Sequence, residues 1–247
     1  MQSILRKTGS ILFGRVLPRL AYPVVTGPLA GARFVLGSLS GDGGGGSVYF
    51  NLVEPEQTAA MLREIKPGHV FFDIGANVGY YSILASRLIG KSGAVISCEP
   101  VVRNLALLQR HFEINHASNI RVLPFAVSDK NAMEKFSPGP DTSMGHLAAG
   151  SGSGDDVLVP TITLDTIAAE FGISPDVVKI DVEGAEMLVL RGAEKVISEI
   201  RPIIFLSTHS PELRADCLEY LRGRGYEVAS LIAGDDPHEF LARPAAT

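Results

Sequence analysis

The chain has 247 residues, 46% of them hydrophobic, and a formal charge of -5. That is enough apolar material for one sizeable α/β domain, and the acidic balance excludes a general nucleic-acid binder, which needs a basic face. No run of about 18 apolar residues occurs, so no transmembrane segment is expected.

The first 41 residues carry Arg6, Lys7, Arg15, Arg19 and Arg33 and no acid. Their apolar run is cut by Arg15, Pro18 and Arg19, which makes a poor signal peptide. This stretch reads as a helix packed on the domain or on a second copy of the chain, as in a homodimer; peripheral contact with a membrane surface is the alternative. The glycine-rich "GSLSGDGGGGS" closes it as a flexible loop, so residues 1–53 are set apart as an N-terminal extension. From residue 54 the pattern is regular. "EPEQTAAMLREI" is helical, with Ala59, Leu62 and Ile65 on one stripe, and Lys66-Pro67-Gly68 stops it.

Strands and helices then alternate. "HVFFDIG" is a strand and "VGYYSILASRLIG" a helix. "GAVISCEP" is the second strand, followed by the helix "NLALLQRHFEINH" with Leu105, Leu108 and Phe112 at helical spacing. "IRVLPFAVSD" is the third strand. "DVVKIDVEG" is the fourth, before the helix "AEMLVLRGAEKVISEI". "RPIIFLSTH", "YEVASLI" and "HEFLARP" complete seven strands, with the helix "PELRADCLEYLRGRG" after the fifth. Such alternation predicts a mostly parallel sheet with helices on both faces. Residues 130–163 break the rhythm. They are too long for an ordinary connection and read as a functional loop or small hairpin. The two cysteines, Cys98 and Cys217, read as buried thiols of a reducing compartment, which suggests a cytoplasmic protein.

The first strand-to-helix turn is the usual ligand cradle of such a sheet. Here it reads Asp73-Ile74-Gly75-Ala76-Asn77-Val78-Gly79. Asn77 stands where a dinucleotide fingerprint has glycine, and Asn is the residue that best tolerates a left-handed backbone in its place. Asp73 would repel a pyrophosphate but suits a ligand with a cationic amino group. The D-x-G-x-(G/N)-x-G spacing, followed by an acid after the next strand, is a pattern of S-adenosylmethionine (SAM) binding. Glu99 would accept the ribose hydroxyls. Pro100 follows it in the same strand-end motif. Asp129 would meet the adenine amino group, with Ala126 and Val127 against the ring.

Together "FFDIGANVGYYS", "CEP", "AVSD", "ITLDTI" and "VVKIDVEGAEMLVLRGAEKVI" resemble the FkbM family of SAM-dependent methyltransferases, from about Glu54 to Pro211. "HEFLARP" resembles that family's ending more weakly. The resemblance implies a Rossmann-like class I methyltransferase sheet of seven strands, the last antiparallel. It also implies methyl transfer, commonly to a hydroxyl of a sugar, polyketide or other small natural product. The chain departs at "FLSTHS", where relatives often carry a glutamate at the position of Ser207, so no role passes to a fifth-strand acid. Residues 54–247 are accordingly the SAM-binding methyltransferase domain, and residues 130–163 the substrate lid, with Ser143, Met144 and His146 facing the acceptor.

Asp181, Glu183 and His209, at the ends of the fourth and fifth strands, are the catalytic candidates. His209 has the ordinary pKa of a general base, and Asp181 would orient it or hold the SAM amino group. A magnesium ion on Asp181 and Glu183 is the alternative, although no metal ligand set is assigned; for Glu183 a helix-capping role competes. A nicotinamide-dependent oxidoreductase and a non-catalytic SAM-binding module remain as other readings. His111 and His116 read as solvated, and Asp155 and Asp156 as a solvated turn. Of Tyr80 and Tyr81, one is expected in the core and the other at the cofactor's methionine end.

Overall fold

A computed structural model describes residues 18–39, 46–137, 146–147 and 156–245. The chain opens with the short antiparallel pair β1 (Ala21–Pro23) and β2 (Arg33–Val35). Helix α1 (Pro55–Glu64) begins with proline, whose missing N–H costs nothing at a first helical position. Its buried residues are Gln57, Thr58, Ala60 and Met61, while Leu62 is 42% exposed. The stripe expected on Ala59 and Leu62 is therefore rotated, because the helix must also bury Gln57, which donates to Glu54.

Next come β3 (Val70–Ile74), α2 (Tyr80–Ile89), β4 (Ala94–Cys98), α3 (Val102–Ile114) and β5 (Ile120–Leu123). The third strand expected from sequence divides at Pro124, which has no N–H for a sheet ladder. β6 (Ala126–Val127) leaves the main sheet and joins β7 (Ala132–Ser137), β8 (His146–Leu147) and β9 (Val157–Ile162) in a small sheet ordered β6-β9-β7-β8. The described part of the 130–163 insertion is thus strand as well as loop.

The chain continues through α4 (Leu164–Phe171), β10 (Val177–Ile180), α5 (Glu186–Arg191), β11 (Ile203–Ser207), α6 (Pro211–Arg222), β12 (Tyr226–Ser230) and β13 (Glu239–Pro244). The central sheet runs β12-β13-β11-β10-β3-β4-β5. The five strands from β11 to β5 are parallel, and β13 lies antiparallel between β11 and β12. This is the seven-stranded order of the class I methyltransferase sheet.

Alternate residues face opposite sides of each strand. Phe71, Val95, Val177 and Phe205 enter one core, and Phe72, Ile96, Val178 and Ile204 the other. The first core also takes Val24, Leu29, Phe34, Leu36 and Tyr49, so residues N-terminal to position 54 pack with α1, α2 and α3. His111 is part of this join. It is fully buried, with Nδ1 2.7 Å from the Val78 carbonyl and Nε2 accepting the Val35 N–H. The solvated reading of His111 is therefore corrected: two backbone groups of different segments need its ring. Strand order reverses between β3 and β10, the position at which such sheets open a ligand crevice.

Candidate functional site

The crevice is made by two neighbouring strand-to-helix turns. The first follows β3. Gly75, Asn77 and Gly79 all have positive φ, at 82°, 50° and 88°, so Asn77 takes the left-handed conformation expected of it. Gly75 and Ala76 donate to the Cys98 carbonyl of β4. A Cβ on Gly75 would lie 1.8 Å from the Asp181 carbonyl oxygen, so only glycine fits. A Cβ on Gly79 would lie 2.7 Å from the Phe112 ring, so this glycine lets α2 pack on α3.

Glu99 stands beside this turn and is 4% exposed. Its Oε2 accepts the Asn77 N–H, and its Oε1 accepts from the Val101 N–H and from Asn104 Nδ2. Burial pushes its pKa up to about 7, against the pull of those donors. A cleft of about 80 Å³ opens over it, lined by Gly75, Asn77, Glu99, Pro100, Ala126 and Val127 among others. The insertion reaches this cleft through Phe136.

The second turn follows β10 and is built from side chains. Lys179, in the centre of the sheet, is 2% exposed. Its Nζ lies 3.1 Å from Asp181 and 3.8 Å from Asp73. Burial opposes its charge, but Asp181, Asp73 and Glu54 more than offset this and raise its pKa. Asp73 itself is fully buried and receives the Ser82 hydroxyl. Burial would raise the Asp181 pKa, yet Lys179 and then His209 hold it below the usual range.

His209, just past β11, joins these groups. Its Nδ1 lies 2.7 Å from Glu186 Oε1, and its Nε2 3.3 Å from Glu183 and 3.6 Å from Asp181. Burial disfavours the imidazolium, but the Glu186 hydrogen bond and the three carboxylates outweigh it and push the pKa to about 9. Burial is also the main reason that Glu183 is raised to about 7. Glu183 has φ 52° and does not cap α5. Glu186 instead accepts the Gly184 N–H at that helix's start.

A second, wider cleft lies on this side. Its wall includes Glu54, Tyr80, Tyr81, Lys179, Asp181, Thr208 and His209. The two clefts share Gly75, Asn77, Asp181 and Glu183.

The catalytic candidates Asp181, Glu183 and His209 are thus together at that junction. Of the cofactor candidates, Ala76 lines the second cleft, whereas Asp73, Gly79 and Asp129 line neither. Asp73 is turned to Ser82 and Lys179 instead of a ligand amino group. Asp129 is exposed, because its strand has left the main sheet for the small one. Ser143, Met144 and Asp155 lie outside the described residues; His146 pairs with Ser137 in the small sheet. Both tyrosines are buried, and Tyr81 donates to Glu54. Sequence reasoning missed Lys179, Glu186 and Glu54. A lysine inside the apolar run "VVKI" was a signal, since a buried cation requires anions beside it.

The FkbM methyltransferase domain model matches residues 73–228. The chain belongs to the FkbM methyltransferase family. It is 27% identical over 219 residues to the 31-O-demethyl-FK506 methyltransferase FkbM of Streptomyces tacrolimicus, covering 74% of this chain and 84% of that protein. It is 26% identical over 155 residues to the hexuronic acid methyltransferase AglP of Haloferax volcanii, covering 61% of each. The crystal structure of methyltransferase FkbM from Methylobacillus flagellatus KT has the same fold, at a TM-score of 0.53 and 18% identity, over 98% of this chain and 59% of that one. The chain therefore spans about three fifths of the length of two of these three relatives. No helix among the described residues is long and apolar enough to cross a membrane.

Proposed function

We propose that this methyltransferase moves a methyl group from SAM to a hydroxyl oxygen of a small hydroxylated acceptor. The observation that carries the reading is the meeting of two clefts at Asp181 and Glu183. One cleft suits the cofactor. Its floor is a glycine turn that a Cβ would fill. Buried Asn77 Oδ1 has no hydrogen-bond partner, and an already oriented carboxylate, Glu99, retains lone pairs for ribose hydroxyls. Pro100, Val101, Ala126 and Val127 supply apolar walls for the adenine. When bound, SAM supplies an electrophilic methyl on a sulfonium and leaves as S-adenosylhomocysteine.

The chain's own task is then to hold an oxygen in line and dispose of its proton. Asp181, Glu183 and His209 face the junction, and a hydroxyl is a weak nucleophile until that proton is lost. His209 is oriented by Glu186 as a catalytic histidine is oriented by a carboxylate. Carboxylates such as Glu54 and Glu239 line the second cleft and offer acceptors to a polyhydroxylated molecule. Oxygen is favoured as the methyl acceptor because the Streptomyces relative is named for a 31-O position. The hexuronic acid in the other relative's name supports a hydroxylated sugar as one acceptor class.

The test is a screen of hydroxylated acceptors with SAM labelled in the methyl group, beside calorimetric titration of SAM and of NAD. Binding of SAM at micromolar concentration with label on oxygen supports the reading. NAD binding without SAM binding would return the oxidoreductase, and SAM binding with no transfer to any acceptor would leave a binding module.

A further inference from the structure

Asp181, Glu183 and His209 do more than converge. We infer that they form a binding site for a divalent cation of the magnesium–manganese class, which holds the acceptor oxygen. The inference rests on the hydroxyl-methylation reading for the cation's role, but not for its binding.

Three observations carry it. The first is spacing. One ligand atom from each residue lies within 4.8 Å of the others. The two contacts of His209 Nε2 are 3.3 Å to Glu183 and 3.6 Å to Asp181. Metal–ligand bonds of about 2.0–2.2 Å put adjacent ligands of an octahedral ion about 2.8–3.1 Å apart. The two His209 gaps need to close by about 0.2–0.8 Å, within the reach of side-chain rotation.

The second is orientation. Nδ1 faces Glu186 Oε1, an oxygen already accepting the Gly184 N–H, so Nδ1 carries the hydrogen. Nε2 is left facing two carboxylates. Two carboxylates at one ring nitrogen make a position for positive charge, which the ring proton fills in the ligand-free chain and a divalent cation can fill in its place. Metal-bound histidines are typically held by this carboxylate–imidazole arrangement. Lys179 does not occupy that position, because its ammonium is engaged with Asp181 and Asp73 and lies on Tyr81 at 5.1 Å.

The third is independent of the cluster. Thr208 is 6% exposed, its hydroxyl has no hydrogen-bond partner, and it lines the same cleft. A buried hydroxyl without a partner, in the cleft that the two carboxylates and the imidazole also line, points to a ligand of that cleft. Oxygen donors dominate the set, which suits magnesium, and one imidazole brings manganese within range. Three protein ligands leave positions open for the acceptor oxygen and for water. The cation lowers the hydroxyl pKa and the proton leaves to solvent. The oxygen lone pair forms the C–O bond while the C–S pair stays on sulfur.

The experiment titrates chelator-treated full-length chain with Mn²⁺, followed by calorimetry and by the loss of the free-ion electron paramagnetic resonance signal. One Mn²⁺ per chain is expected at micromolar concentration, competed by Mg²⁺. Affinity should fall at least tenfold in His209→Gln and Glu183→Gln and stay unchanged in the exterior control His116→Ala. Should His209→Gln fail to fold, Glu183→Gln, at a partly exposed position, still decides. Absence of Mn²⁺ binding below millimolar concentration, or binding that both variants retain, overturns the site. Methyl transfer that survives chelation with no bound metal also overturns it, while leaving the methyltransferase reading intact. Mn²⁺ bound in wild type and lost in the variants supports the site even if no hydroxyl is ever methylated, an outcome that would remove only the acceptor assignment.

Discussion

The turns after β3 and β10 are neighbours built with similar backbone devices and opposite chemistry. Each follows a central strand, and each contains residues at positive φ: Gly75, Asn77 and Gly79 in the first, Glu183 and Gly184 in the second. In the first turn side chains are stripped away so that backbone approaches a ligand, and the one carboxylate beside it is held by neutral donors. In the second, a glutamate occupies the costly left-handed conformation, and its side chain joins Asp181 and His209. Strain of this kind is kept where the surrounding structure benefits from the side chain's position. Under the proposed function, the difference teaches that the first turn recognises and the second reacts.

Asp181→Asn breaks the second turn most directly. It removes the charge at the junction of the clefts, and methyl transfer at saturating SAM is expected to fall by about 1000-fold, within the range for loss of a group acting on the proton in flight. Turnover within tenfold of wild type would remove Asp181 from the chemistry. Lys179→Met comes next. It leaves buried Asp73 without a cation and Asp181, a quarter exposed just past β10, with His209 alone, a loss of about 3–5 kcal/mol. For a chain of this size that lowers Tm by about 10 °C. A fall of less than about 3 °C would show that the lysine's charge is replaceable.

Glu99→Ala tests the first turn in isolation. It removes charge-assisted hydrogen bonds worth about 1.5–3 kcal/mol each. SAM affinity should weaken at least tenfold, while kcat at saturating SAM changes less than it does in Asp181→Asn. Unchanged affinity in the folded variant would detach Glu99 from the cofactor.

These two turns also show what a sequence discloses. The sheet was legible because period-two apolar runs alternated with helices, and the family motifs even set the antiparallel place of β13. The first turn was legible because its function needs glycines at fixed spacing, and backbone devices leave such marks. Asp181 and His209 were legible as polar residues ending apolar strands. Glu186 was not, since an acid in a helix's first turn is an ordinary stabilising choice. Glu54 was not, because it reaches the second cleft only through the packing of a segment outside the motif region. Asp73 was legible as an acid but not as Lys179's partner, because that contact depends on β3 and β10 pairing Asp73 with Lys179 in register. His111 was misread for the same reason: what buries it is the docking of β2, far away in sequence.

The smallest effect separates the turns by pH. Glu99, Glu183 and Glu239 are raised from an ordinary 4.5 to about 7, and His209 from 6.5 to about 9. Burial disfavours charge on the three acids, whereas the carboxylates around His209 outweigh burial and favour its charge. In all four, the folded chain holds the proton more tightly than the unfolded chain. Their contribution to stability is therefore complete below the unfolded pKa and is lost as pH rises through the folded one. The acids lose theirs between about 4.5 and 7, and His209 between about 6.5 and 9. Four groups act oppositely at lower pH: Asp181, lowered from 3.8, Glu64 and Glu194, lowered from 4.5 chiefly by hydrogen bonds from Arg243 and Arg224, and His111, lowered from 6.5 by burial. A scan from pH 6.5 to 9.5 avoids all four, and Glu99 has largely titrated by its midpoint; the buried thiols of Cys98 and Cys217, raised from 9.0, add a decline toward its upper end that His209→Gln retains, so the second turn is read from the difference between wild type and that variant. The ligand-free Tm should fall by about 3 °C across that scan, the shift expected for about 1 kcal/mol in a chain this size. Solvent screens part of the His209 and Glu183 share, because both side chains are about a third exposed. The decline should flatten in His209→Gln and persist in Glu99→Ala. If it persists equally in both, the imidazolium is not what the second turn stabilises.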